Sequence, residues 1–290
     1  MEGLLAYIKH HNVFCTRAFR AAPVLTLWRL ATWLAFHVLP KWPAVIKVNV
    51  GHTSFRLRLV PILRRHGSSG IYVQRSKYES LLEYCDRLVT KGAVVIDCGA
   101  NQGIYACAFG ALVGPQGRVY AFEPQAYAVE ALHRNARLNG FAHVSVEQVA
   151  ISNANGIATL DVSSGPVRAS IMNSMGGSET ISVPTLSLSS FAERVDLRRL
   201  DLIKLDIEGG EYDALVGAIP IIARFKPTIV LEAAPGDTSL PVEKRWDAIL
   251  KLLTAYGYAM YCFDSAGGLE RTDQVSDFDP NVVFRPIDLA

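Results

Sequence analysis

The 290-residue chain has no glycine loop of the G-x-G-x-x-G pattern, no C-x-x-C pair and no heptads or internal repeats. Its five cysteines, Cys15, Cys85, Cys98, Cys107 and Cys262, show no zinc spacing, and an odd number cannot all pair within one chain. Free thiols in a reducing cytoplasm are therefore expected. Charge of one sign is not in excess, with 29 Lys and Arg against 27 Asp and Glu. No basic run interleaves with aromatics, so a nucleic-acid partner is not expected. No histidine falls at the tip of a predicted strand; His133 and His143 lie on a predicted helix and a loop. The N-terminus lacks a basic cluster, apolar core and small-residue cleavage site in succession, so no secretory signal is read there. The stretch Val24 to Leu39 is strongly apolar. It is nonetheless shorter than the roughly 20 residues of a spanning helix, and Arg29 and His37 interrupt it. Thr26, Arg29 and His37 share one narrow helical stripe, which leaves most of the circumference apolar. Two readings follow for residues 24–39: packing on the main domain or a second subunit, or a weak interfacial membrane contact.

Half of the residues are hydrophobic, enough for a sizeable core. The length suits one large α/β domain with an appendage. Residues 1–77 read as that appendage: a helix opened by Pro23 and closed by Pro40 and Pro43, then a hairpin turning at Gly51-His52. Residues 78–290 read as the main domain. Helical spacing covers Ser80 to Val89, and strands then alternate with helices. Strands are expected at Ala93–Asp97, Arg118–Glu123, Val144–Ile151, Leu202–Asp206 and Thr228–Glu232. Gly156–Val162 and Thr180–Val183 read as an added hairpin around the Ser/Gly-rich stretch Ser163–Ser178. Tyr258–Phe263 and Val282–Phe284 read as an antiparallel pair at one edge. Helices are expected after Gly103, over Ala126–Asn139, Glu211–Ala218 and Val242–Ala255.

The stretch Asp97-Cys98-Gly99-Ala100-Asn101-Gln102-Gly103 follows the apolar run Ala93–Ile96. It reads as a buried strand turning through glycines into a helix, the place where open parallel sheets hold nucleotide-like cofactors. In a dinucleotide loop a glycine at the position of Asn101 lets backbone approach the pyrophosphate. The carboxylate of Asp97 argues the same way. At about 4 Å from a phosphate it would be repelled by about 4 kcal/mol at an effective dielectric near 20, and it would attract a sulfonium or ammonium by as much. S-adenosylmethionine, cationic and free of phosphate, fits better than a nicotinamide dinucleotide. Glu123, about 20 residues past Gly103 at a strand tip, is placed to accept hydrogen bonds from ribose hydroxyls. A capping acid for the following helix is the plainer reading of Asp97.

The second informative stretch is Asp201-Leu202-Ile203-Lys204-Leu205-Asp206-Ile207-Glu208-Gly209-Gly210-Glu211. A central parallel strand should be continuously apolar, and Lys204 and Asp206 break that rule on one side of the pleat. Buried charges are rare unless paired or used. The cluster therefore reads as part of the reaction centre, whereas Glu211 reads as a first-turn acid favourable to its helix dipole. Methyl transfer from sulfur to an alcohol needs a positioned oxygen and a base. Asp206 and Glu208 are the candidate bases, Glu232 at the next strand tip a third, and Lys204 would keep the carboxylates ionised.

These residues, in this order, resemble the FkbM-type S-adenosylmethionine-dependent methyltransferases from Tyr78 to Phe284. Tyr78-Glu79, Val95–Gly103, Val119–Pro124, Val149–Ser152, Val183–Leu186 and Leu202–Glu211 carry the likeness. Cys98, Gln102, Gly210 and Ile151 depart from it without removing a polar group. The resemblance implies a Rossmann-like class I α/β fold: a seven-stranded, mostly parallel sheet with one antiparallel strand and helices on both faces. It implies O-methylation of a hydroxyl on a sugar or secondary metabolite and brings no metal with it; the cytoplasmic setting is read from the cysteines. The cofactor would be held by Glu79, Asp97, Gly99, Asn101, Gly103, Glu123, Val149, Ala150 and Asp206. The alternatives are a non-catalytic module in a membrane-associated assembly and, further off, a nicotinamide oxidoreductase. Acceptor choice is expected in Ser163–Ser178 and Asp264–Asp279, with Tyr256, Tyr258 and Tyr261 as a conceivable sugar platform; the oligomeric state stays open.

Overall fold

The computed structural model describes residues 16–38, 44–59, 68–162, 170–171, 180–233, 241, 244–275 and 281–287. Cys15, the helix-closing Pro40 and Pro43, and the stretch Ser163–Ser178 apart from 170–171 lie outside them. Helices α1 (Arg17–Ala21) and α2 (Pro23–Val38) precede a hairpin of β1 (Ala44–Val50) and β2 (Thr53–Leu59). The hairpin alternates as its sequence does. Ile46, Val48, Phe55 and Leu57 point inward, while Val45, Lys47, Arg56 and Arg58 point outward. Its inner face shares one core with Leu30 and Trp33 of α2.

Helices α3 (Ser68–Gln74) and α4 (Ser80–Tyr84) come next. The helix expected over Ser80–Val89 stops at Tyr84 and tightens into a 3-10 turn at Cys85–Arg87, with the N–H groups of Leu88 and Val89 both on the Cys85 carbonyl. The alternating part begins with β3 (Val94–Cys98), α5 (Ile104–Val113), β4 (Arg118–Phe122), α6 (Ala126–Leu138) and β5 (Val144–Glu147). A small excursion follows through β6 (Ala150–Ile151), β7 (Gly156–Asp161), β8 (Ser170–Ile171) and β9 (Thr180–Leu186). The chain returns through α7 (Leu188–Arg194), β10 (Leu202–Leu205), α8 (Glu211–Phe225) and β11 (Thr228–Glu232). It finishes with α9 (Trp246–Ala255), β12 (Tyr258–Phe263), β13 (Leu269–Arg271) and β14 (Asn281–Pro286).

The main sheet has the order β13-β12-β14-β11-β10-β3-β4-β5, with β5 to β11 parallel and β14 antiparallel to both of its neighbours. The Rossmann-like architecture is present, with two corrections. The sheet has eight strands instead of seven, because the three-residue β13 folds back on β12. The pair β12 and β14 is antiparallel at one end of the sheet, as expected, with β14 lying between β11 and β12. The single strand expected over Val144–Ile151 is broken at Gln148. Its first half stays in the main sheet, and Ala150–Ile151 joins the separate sheet β6-β9-β7-β8. Helix α8 also outruns its expected end at Ala218 and continues through Pro220, held by buried Ile221 and Ile222. Strand alternation divides the interior into two layers. Val95 and Leu202 face the α5 side, and Ile96, Cys98, Ile203 and Leu205 face the α8 side. Among the described residues, no helix is long and apolar enough to cross a membrane.

Candidate active site

At the carboxyl ends of β3 and β10 the two backbones nearly touch. A Cβ on Gly99 would lie 1.8 Å from the Asp206 carbonyl oxygen, and Gly99 has φ +77°. Only glycine satisfies both conditions, because an L side chain would clash and would be strained in that region. The Asp206 N–H donates to the Cys98 carbonyl at 3.1 Å, which brings the loop after β3 beside the acids after β10. Gly103 (φ +90°) starts α5, and a Cβ there would press on Leu132 at 2.9 Å, so its smallness serves helix packing.

Above this junction lies a cavity of about 280 Å³. On one side Phe122, Pro124, Val149, Ala150 and Ile151 form an apolar slot, with Glu123 at its base. Each Glu123 oxygen accepts one backbone N–H, Oε2 from Asn101 and Oε1 from Gln125, both at 2.9 Å. Since a carboxylate oxygen has two acceptor sites, one on each remains for a ligand. Burial raises this carboxyl to about 7, although the two N–H groups pull it back. On the other side stand Glu79, Asp206, Glu208 and Glu232. Five carboxyl groups thus line the cavity, and no Lys, Arg or His is among the described residues that line it.

Three of the carboxyls on that side, Asp206, Glu232 and Glu79, are linked to a buried lysine. Lys204 is 2% exposed and donates to Asp206 Oδ2 at 2.9 Å, and its ammonium lies 4.4 Å from the centre of the Tyr105 ring. The Tyr105 hydroxyl donates in turn to Glu79. Burial alone would raise the Asp206 carboxyl, but the Lys204 charge and hydrogen bonds from Lys204 and Glu232 outweigh it and hold Asp206 below its ordinary range. Glu232 moves the opposite way, to about 8, through desolvation and the adjacent Asp206 charge. Two neighbouring carboxyls therefore share one proton near neutrality, with Asp206 as the ionised partner. Glu208 sits at φ +52° on the exposed tip of the loop. Glu211 accepts from the N–H groups of Ile207 and Gly209, fixing that loop from below. Its role is structural, as its first-turn position suggested.

Asp97 is the main departure from the sequence argument. It does not line the cavity. In the parallel register it stands opposite Lys204, so both side chains point to the α5 face beneath the loop. Asp97 is fully buried, and neither carboxylate oxygen has a partner at hydrogen-bonding geometry. Burial raises it to about 6, opposed by the Lys204 charge and weakly by the Ala106 N–H at the start of α5. Asp97 thus lies beneath the start of α5 without capping it, since α5 has no side-chain cap and neither Asp97 oxygen is hydrogen-bonded. Gly103 and Lys204 likewise lie behind the wall, whereas Glu79, Gly99, Asn101, Glu123, Val149, Ala150, Asp206, Glu208 and Glu232 converge on it. Tyr258 is 2% exposed and bonded to the Pro227 carbonyl, hence core and not a platform.

Two contributors carried no obvious sequence signal. Tyr105 is an ordinary helical tyrosine in sequence, legible only through its place in the first turn after the loop. Asn135 is fully buried; it accepts from the Arg58 N–H at 2.8 Å and donates to the Gln102 carbonyl at 2.9 Å, linking the hairpin to the loop. Asn139, one turn on, pairs with both backbone groups of Arg56. Among the described residues, no three His, Cys, Asp or Glu are arranged to hold a metal ion.

S-adenosylmethionine fits this donor set. Its sulfonium and ammonium would offset the charge of Asp206 that, after burial, pushes Glu232 upward, its ribose would meet the free acceptor sites of Glu123, and its adenine would enter the apolar slot. Comparison with known proteins bears on the same point. Residues 97–260 match the sequence profile of the methyltransferase FkbM domain. No curated protein matches the chain significantly. Among solved structures, the chain is similar to an FkbM methyltransferase from Methylobacillus flagellatus, with 17% identity and a TM-score of 0.45 over 76% of this chain and 53% of the other. The chain thus spans about half the length of that protein. It is also similar to an S-adenosylmethionine-dependent O-methyltransferase from Thermotoga maritima (15% identity, TM-score 0.40, 86% and 79% covered). A third likeness is to fibrillarin from Aeropyrum pernix with bound S-adenosyl-L-methionine (15%, 0.39, 68% of each chain).

Proposed function

The chain belongs to the FkbM methyltransferase family, and from that premise we propose that it transfers a methyl group from S-adenosylmethionine to a hydroxyl oxygen of a sugar or secondary metabolite. One observation carries the reading of the cofactor: among the described residues, five carboxyl groups and no cation line a cavity at the sheet's carboxyl edge. A diphosphate placed there would meet repulsion of about 4 kcal/mol from each ionised carboxylate at 4 Å. A cation meets attraction of the same size.

When bound, S-adenosylmethionine supplies an electrophilic methyl group on a positively charged sulfur. Glu123 would accept the ribose hydroxyls, and the Gly99–Asn101 backbone would border the methionine portion. The protein's remaining task is to place the acceptor oxygen in line and to take its proton. Asp206, held ionised by Lys204, orients that hydroxyl as a hydrogen-bond acceptor. Glu232, with its carboxyl near 8, is the stronger base once ionised, and Glu208 borders the same space. The acceptor proton passes to the Asp206–Glu232 pair and leaves through the open side of the cavity, where Glu232 is exposed.

The test is incubation with methyl-labelled S-adenosylmethionine and mixed glycan and metabolite extracts, with the product read by mass spectrometry. The expected product is one methylene heavier than its precursor, with the label on oxygen. Label found only on nucleic acid, or on no acceptor in any extract, would count against the reading.

A further inference from the structure

The near-neutral total charge conceals a division along the chain. Residues 1–78 hold twelve Lys and Arg against a single acid, Glu2, whereas the remainder holds 17 against 26. Helix α2 lies in the basic part and is oriented opposite to an ordinary surface helix, whose polar stripe faces water. Its polar side chains Thr26 and Arg29 turn inward. Thr26 is 1% exposed and donates to the Ala18 and Ala22 carbonyls, and Arg29 reaches the Val73 carbonyl at 3.4 Å. Leu30 and Trp33 anchor the same side in the core shared with the hairpin. The outward side carries Val24, Leu27, Trp28, Ala31 and Ala35, all exposed and spaced as one continuous helical stripe. Val24 is 80% exposed and Trp28 62%. Arg20 is exposed just ahead of this stripe, and Lys47, Arg56 and Arg58 stand on the outer face of the hairpin.

We infer that this face of α2 seats the protein on an anionic lipid bilayer surface, with Trp28 and its apolar neighbours in the interface and the exposed Arg20 beside them at the headgroups. Charge chooses the occupant. In a two-fold dimer through α2 the same patch meets itself, which brings together two segments whose described residues between 16 and 78 hold eight Lys and Arg and no acid. Anionic headgroups remove that repulsion, and apolar burial with electrostatic attraction is the combination by which interfacial helices bind. Sixteen helical residues span about 24 Å, too short for the hydrocarbon core, so α2 lies on the bilayer and does not cross it.

The experiment is co-sedimentation of the full chain with vesicles of equal parts phosphatidylcholine and phosphatidylglycerol, against vesicles of phosphatidylcholine alone. Binding to the anionic vesicles is expected, weakening with salt. The Val24→Ser/Trp28→Ser double variant should partition roughly tenfold less, since both side chains lie off the core. Arg20→Glu should weaken binding without altering affinity for S-adenosylmethionine. Quenching of Trp28 fluorescence by brominated lipid, read as the difference between wild type and Trp28→Phe, needs no disruptive substitution. Absence of vesicle binding, equal binding by the double variant, or a dimer that dissociates on Trp28→Ser in the absence of lipid would each overturn the inference.

Discussion

Replacing Lys204 by methionine removes a buried cation that organises the carboxyls beside the cavity. Charges 2.9 Å apart attract by about 6 kcal/mol at an effective dielectric near 20, using the Lys204–Asp206 distance. That figure is a ceiling. The Asp206 side chain keeps 34% of its surface open, so water replaces part of the attraction. An abandoned carboxyl can also take up a proton, at about 1.4 kcal/mol for each pH unit above its unfolded value. The net loss should be near 3 kcal/mol at about pH 7, within the usual range for breaking a buried pair. The pH dependence distinguishes charge from packing. In the wild type the depressed Asp206 carboxyl adds stability above its unfolded value, and that stability is lost as pH falls through the folded value. In the variant, Asp97 and Asp206 both have raised carboxyls, whose cost begins at about pH 4 and grows with pH. Urea melts should therefore show a difference of about 3 kcal/mol near pH 8, shrinking below about 1 kcal/mol near pH 4. A loss that is the same at both ends, or no loss at all, would refute the electrostatic role of Lys204.

Gly99→Ala should lower stability by about 3 kcal/mol in the same melts, because its Cβ meets the Asp206 carbonyl at 1.8 Å; a fully stable variant would mean that the two strand ends can part freely. Glu232→Gln should cut kcat/KM by roughly 10²–10⁴-fold and abolish a rise in rate toward about pH 8, whereas an unchanged profile would move the base elsewhere. Asn135→Leu should cost about 2–3 kcal/mol and also weaken cofactor binding, since the hairpin and the Gln102 carbonyl both lose a partner; a stability change without any change in affinity would confine Asn135 to scaffolding.

Much of this was legible from period and punctuation. The Ala93–Gly103 stretch placed the loop, and Glu123, Asp206 and Glu232 fell at strand tips because short apolar runs ended in acids there. The facing of Asp97 was not legible as a ligand contact. Its carboxylate suggested contact with a cation, but the parity of β3 sends it to the α5 side with Val95, opposite Lys204. A strand's own sequence gives alternation without saying which face meets the ligand; only the register with β10 decides that. The break at Gln148 and the insertion of β14 were hidden for the same reason, since both depend on pairing across long separations. The charge division between residues 1–78 and the rest was fully present in the sequence and vanished only in the total.

The proposed function stands on an anionic cavity that would take a cationic methyl donor. Isothermal titration with S-adenosylmethionine and with NAD, at about pH 6 and about pH 8.5, tests it on wild type and on Glu123→Gln. Ionised carboxyls bind the cation, so affinity for S-adenosylmethionine should rise between those values as Glu123, near 7, and Glu232, near 8, lose their protons. Binding should release protons, Glu123→Gln should bind at least tenfold more weakly through the lost ribose contacts, and NAD should give no heat. Binding of NAD, or an affinity for S-adenosylmethionine that falls as pH rises, would contradict it.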